Sequence, residues 1–176
     1  MSRSRKTGVL AVLLFFCLTL ASGVEAKQKS TSNYGTPLSA VDKQHLLNDT
    51  FVIVKTVSAI PKSVQRHLLG KSVEAGMADA GQPFQITDVI SGKSLPFQRL
   101  IFAGTSSGYC FVYSEHGGFG YWTNVHLYRL SDAKAELVWR GTPQPRLNIL
   151  DLSQLRGAIA AGKFTNDQLP ASKNSY

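Results

Sequence analysis

The chain has 176 residues, 43% of them hydrophobic, and a formal charge of +8 at pH 7. That length allows one ordinary domain with a real core, and neither an internal repeat nor a second domain is visible in it. Outside the N-terminal leader no three basic residues follow one another, which argues for a soluble basic surface and against a dedicated polybasic arm.

Residues 1–26 read as a cleavable signal peptide. Arg3, Arg5 and Lys6 precede an apolar run from Gly8 to Leu20, too short to span a bilayer comfortably, and Ser22–Ala26 supplies small residues for cleavage. Removing it leaves Lys27–Tyr176 with 16 basic and 10 acidic residues, a charge of +6, and no membrane span. The expected location is exported, periplasmic or secreted. Cys17 leaves with the leader, so Cys110 is alone and no intramolecular disulfide can form. A lone thiol of this kind reads first as a small buried hydrophobe.

Residues 27–37 are polar and read as a disordered arm. Ser39 followed by Asp42 resembles a capping signal for a short helix over 40–47, broken by Asn48-Asp49. Phe51–Val57 is β-branched and nearly all apolar, which predicts a strand buried on both faces. Pro61 suits a first helical turn, Ile60, Val64 and Leu68 share a stripe, and Gly70 follows, so a helix is expected over 61–69. Residues 71–83 read as a loop and 84–90 as an ambiguous short strand.

Four strand-like runs follow, at 97–103, 109–115, 119–130 and 135–140, joined by short polar or glycine-containing links. Such links imply antiparallel neighbours and hence a meander. Pro143 and Pro145 end it. Asp151 with Gln154 can open a helix over 152–161, whose Leu152, Leu155 and Ile159 share a face, with Gly157 a weak point inside it. Residues 165–176 read as a flexible tail. The expectation is a single α+β domain over 38–164: an antiparallel sheet of four to six strands with two or three short helices packed on one face. A β-sandwich or small barrel is the alternative.

The stretch Cys110–His126, CFVYSEHGGFGYWTNVH, carries most of the chemistry. Gly117-Gly118 resembles a two-residue hairpin turn, since the preferred turn type needs positive φ at both positions. His116 then opposes Phe119, Cys110 opposes Val125 and Tyr109 opposes His126. In that register Cys110, Val112 and Ser114 form a mainly aliphatic packing face with Tyr121, Thr123, Val125 and Leu127. The opposite face gathers Tyr109, Phe111, Tyr113, Trp122, Asn124, His126 and Tyr128, apolar bodies with polar tips, as the candidate ligand-binding wall. With the helices on the aliphatic side, this wall is expected to stay half open.

The function expected from this is a non-enzymatic exported binding or interaction module. The alternative is a thiol-dependent hydrolase or transferase using Cys110 with His126 as its base, which needs a different hairpin register. No metal site is expected: Cys110 and His116 lie about 20 Å apart along one strand at roughly 3.3 Å per residue. No cofactor motif is present; Gly70-Lys71-Ser72 and Gly92-Lys93-Ser94 lack the earlier glycine of a phosphate loop. Only Arg129 among basic residues lies on the hairpin, too few for a nucleic-acid stacking sheet. An envelope component or an anionic polymer is the partner class left by the basic charge.

Overall fold

The computed structural model describes residues 35–69, 76–89, 95–132, 134–145 and 147–167. The expected signal peptide, the arm up to residue 34 and the chain beyond 167 lie outside the described residues. In chain order the elements are helix α1 (Ala40–Asn48), strand β1 (Val52–Val54), a 3-10 turn (Val57–Ala59), α2 (Lys62–Leu69), β2 (Met77–Ala78), β3 (Gln98–Thr105), β4 (Tyr109–His116), β5 (Trp122–Ser131), β6 (Lys134–Pro143), α3 (Leu152–Ala160) and β7 (Phe164–Asn166). The strands form one open sheet in the order β1-β3-β4-β5-β6-β7, antiparallel throughout, with β2 added beside β3 in parallel. The fold is thus α+β, built on an antiparallel meander. β7 carries the folded chain past residue 164, and the Gly35 amide donates to the Asn166 carbonyl at 3.1 Å.

The helices form where capping and stripe coincide. Ser39 Oγ accepts the Asp42 amide at 3.1 Å, and Asp151 accepts the Gln154 amide at 2.8 Å, each satisfying an orphan N–H of the first turn. Leu155 and Ile159 of α3 and Leu46 of α1 pack with Phe102, Tyr109, Phe111, Tyr113, Val125, Leu127 and Trp139. Ile60 and Val64, at the start of α2, pack instead with Leu100, Ala103, Cys110, Val112 and Tyr128. Alternate residues of β4 belong to opposite clusters, so α1 and α3 cover one face of the sheet and α2 the other. The expected one-sided packing is corrected here, and the reason is visible in β4. Every residue from Tyr109 to Glu115 is buried, and a central strand apolar on both sides needs cover on both.

Phe51–Val57 departs from its expectation in the opposite sense. Among the described residues β1 pairs only with β3, at the sheet edge, and Val52 is 70% exposed. Phe51 is buried in the α1–α3 core, while Val54 and Val57 pack half-buried against the α2 cluster. Residues 84–89 form no strand, though an isolated β-bridge joins Thr87 to Gly118.

A buried carboxylate ties α1 to the sheet. Asp42 accepts from Tyr109 Oη at 2.8 Å, from Arg129 Nη2 at 2.8 Å and from Ser39 Oγ at 2.6 Å. Burial pushes this carboxyl up, but the hydrogen bonds from Ser39, Arg129 and Tyr109 and the Arg129 charge outweigh it and hold it below its ordinary range. On α3, Arg156 reaches the Leu46 and Asp49 carbonyls at the end of α1, placing a cation where the helix dipole is negative.

Two glycines make room for aromatic rings inside the sheet. A Cβ on Gly104 would fall 2.4 Å from Phe111 Cε1, and one on Gly141 only 2.1 Å from Trp139 Cζ2. The Trp139 ring is also anchored, its Nε1 donating to Asn166 Oδ1 at 2.9 Å. Gly141→Ala is therefore expected to lower unfolding free energy by about 1–3 kcal/mol through overpacking. Gly157→Ala, where nothing lies within 4 Å of the added carbon, is expected to raise it by about 0.5–1 kcal/mol through helix propensity. Urea midpoints of the two variants check both signs.

Candidate functional site

The register of the β4–β5 hairpin decides which side chains meet. His116 opposes Trp122, Ser114 opposes Asn124, Val112 opposes His126 and Cys110 opposes Tyr128. The connection is the five-residue loop Gly117–Tyr121, not a two-residue turn at Gly117-Gly118. Against the expected pairing of His116 with Phe119 the offset is three residues, an odd number, so β5 is flipped relative to β4.

The cause lies in the segment before β3. The Gly117 amide donates to the Phe97 carbonyl at 2.9 Å and the Gly118 amide to the Ile86 carbonyl at 3.0 Å. A Cβ on Gly117 would fall 2.1 Å from the Gln85 carbonyl oxygen. Gly117 is small because another backbone approaches it, and only Gly118 has positive φ, at 106°. The glycine pair is thus held as a continuation of β4, and the chain reverses beyond it. Phe119 is left 100% exposed at the loop.

The seven residues expected on one wall therefore divide. Tyr109, Phe111 and Tyr113 lie on the α1–α3 face and are buried in its core. Tyr109 donates to Asp42, and Tyr113 Oη donates to Thr123 Oγ1 at 3.3 Å. Tyr113 also edges a cleft of about 500 Å³ on that face, with Tyr121, Thr123, Pro143 and Leu147 among its walls. Trp122, Asn124, His126 and Tyr128 lie on the α2 face with Cys110, Val112, Ser114 and His116.

There the four meet a cleft of about 430 Å³, within the roughly 300–1,000 Å³ range of small-ligand sites. β4 supplies His116, α2 supplies His67 and Leu68, and β3 supplies Gln98. β6 supplies Leu137 and Arg140, and Asp167 follows β7. Arg140 stands directly opposite His126 in the sheet. Three of the chain's four histidines thus line one cleft.

Compared with known proteins, the chain matches no family model, no curated protein and no solved structure.

The rings and amides of the cleft hold one another in place. His116 stacks on Trp122 with centroids 5.3 Å apart and planes 2° from parallel. Its Nε2 lies 3.1 Å from Asn124 Oδ1, and Ser114 Oγ donates to the same Oδ1 at 3.2 Å. Tyr128 is fully buried beneath, its hydroxyl 3.4 Å from His67 Nδ1. Arg140 Nε lies 3.2 Å from Asp167 Oδ2, and Asp167 also accepts from Thr142 Oγ1 at 3.0 Å. Among the described residues no three His, Cys, Asp or Glu side chains come close enough together to hold a metal ion.

The two strand histidines are neutral. Burial lowers His116 below its ordinary value; the hydrogen bond to Asn124 opposes this and the Arg140 charge adds to it. Burial, with the charges of Arg140, His116 and His67, lowers His126 to about 3, and its Nδ1 is buried with no hydrogen-bond partner among the described residues.

Cys110 shares this face with His126, but each opposes a different residue, Tyr128 and Val112 respectively. Its Sγ lies 3.7 Å from Thr105 Oγ1 and 3.8 Å from the Phe111 carbonyl. The side chain is fully buried, and burial pushes the thiol up to about 11. A nucleophilic thiol needs exposure and a lowered pKa; this one has neither.

Sequence reasoning did not bring His67, His116 or Arg140 to the site. The even spacing of Trp122, Asn124, His126 and Tyr128 was available and does place those four together. His116 joins them only through the longer loop, and Arg140 through a strand register shifted between Leu127 and Tyr128.

The lowered His126 has a consequence for stability. The unfolded chain takes up a proton below about pH 6.5 while the folded imidazole stays neutral. Its contribution is therefore complete above pH 6.5 and is lost as the pH falls toward 3, at about 1.4 kcal/mol per pH unit for one proton. In an NMR titration of the imidazoles, His126 is expected to remain neutral at pH 4.5. A midpoint near 6.5 would contradict the burial assigned to it.

Proposed function

We propose that the protein is a non-enzymatic exported binding module, and that its binding site is the cleft on the α2 face of the sheet. The observation carrying this reading is the convergence of Trp122, Asn124 and His126 from β5, His116 from β4, His67 from α2 and Arg140 from β6 on one cavity of small-ligand size. The stacked pair His116–Trp122 and the double hydrogen bond onto Asn124 Oδ1 preorganise its polar end, which lowers the ordering cost of binding.

The electrostatics disfavour a general-base role for His126. A general base works best with a pKa near the operating pH, and His126 sits near 3. The thiol alternative lacks support, since Cys110 is sealed between the sheet and α2. Export rests on the leader composition at Arg3–Ala26, and an envelope component is the partner such a protein would meet.

Immobilised full-length protein is expected to retain a component of a native envelope extract, and Trp122→Ala is expected to lose it. Tyr113→Phe, altered on the opposite face, is expected to keep it. Equal retention by the wild type and Trp122→Ala would reject the cleft as the site.

A further inference from the structure

We infer that the cleft takes a neutral saccharide. This rests on the binding reading above and specifies its ligand class. Among the described residues lining the cleft, Arg140 is the one lysine or arginine, and the Asp167 carboxylate stands 3.2 Å from it. His116 and His126 add no charge at neutral pH. An anionic ligand would find its cation already countered, and a cationic ligand would meet Arg140.

What the cleft offers is a mixture of donors and acceptors. Asn124 Oδ1 takes hydrogen bonds from within the protein, which orients the amide and leaves its NH₂ for a ligand. Arg140 donates, Asp167 accepts, and Gln98 can do both. Hydroxyl groups donate and accept at once, so a polyol matches such a set where a carboxylate or phosphate, which only accepts, does not.

Trp122 supplies an apolar surface beside these polar groups. Trp122 is 45% exposed although His116 stacks on it, so aromatic surface is left at the edge of the cleft, where Trp122 also borders the cleft beside Tyr113. The C–H face of a pyranose ring is apolar and packs against such a surface, while the ring's hydroxyls point sideways to polar partners. Leu68 and Leu137 give the remaining apolar wall. A half-open cleft with an aromatic lip also suits one residue of a longer polymer as well as a free sugar.

The test is NMR on the full-length protein against neutral trisaccharides of the gluco, galacto, manno and N-acetylhexosamine series, each beside a uronic-acid or phosphorylated counterpart. At least one neutral trisaccharide is expected to shift the Trp122 indole and His126 imidazole signals and to bind more tightly than its acidic counterpart. Trp122→Ala and Asn124→Ala are expected to weaken that binding at least about tenfold, with amide spectra unchanged away from the cleft. Shifts of the same signals by acidic sugars alone would overturn the ligand class and leave the cleft as a binding site. No shift from any neutral trisaccharide would overturn the saccharide inference. Failure of the binding reading itself has a separate sign, equal envelope capture by the wild type and Trp122→Ala.

Discussion

The structure depends on the clamp that Gln85, Ile86 and Phe97 place on Gly117 and Gly118. Two amides are donated to the Phe97 and Ile86 carbonyls, and the space a side chain would need at Gly117 is filled by the Gln85 carbonyl. With the glycines held, β4 runs on to His116 and the reversal is carried by a five-residue loop. Strand side chains alternate faces with a period of two, so this one constraint assigns every residue of β5 to its side of the sheet. Had the chain turned at the glycines, Trp122, Asn124 and His126 would lie under α1 and α3, and Val125 and Leu127 would face α2.

The two faces do different work. Beneath α1 and α3 the sheet is a continuous aromatic and aliphatic core, with Trp139 and Phe111 seated over glycines and the Asp42–Tyr109–Arg129 group fastening the first helix. Beneath α2 the core is smaller, and α2 is only eight residues long. Toward the end of the sheet where β4 finishes and β5 begins, the strands carry polar and aromatic side chains in place of aliphatic ones. The cleft is there. His116 and His126 are kept neutral there by burial and by the nearby Arg140 charge, and a polar site of this kind suits hydrogen bonding and stacking.

Much of the fold was legible. Helices α1, α2 and α3 appear where Ser39, Pro61 and Asp151 announce them, because caps and apolar stripes are local properties. β3 to β6 follow the four apolar runs, with ends moved by three residues or fewer. The side of the sheet each helix covers was not legible, since it depends on how β4 is shared between two cores. The edge position of β1 was hidden for a similar reason: an apolar β-branched run looks the same whether its neighbours arrive on one side or two. At the site, the spacing of Trp122, Asn124, His126 and Tyr128 was readable and their partners were not. Gly-Gly carries one signal for a turn and the same signal for a close backbone approach, and only the distant Gln85, Ile86 and Phe97 distinguish them.

The most direct measurement is of the strand pairing itself. Cross-strand backbone NOEs in the folded protein are expected to join His116 with Trp122, Ser114 with Asn124 and Cys110 with Tyr128. NOEs joining His116 with Phe119 and Cys110 with Val125 would contradict the account, since they would return Trp122, Asn124 and His126 to the side of Tyr109, Phe111 and Tyr113 and dissolve the cleft.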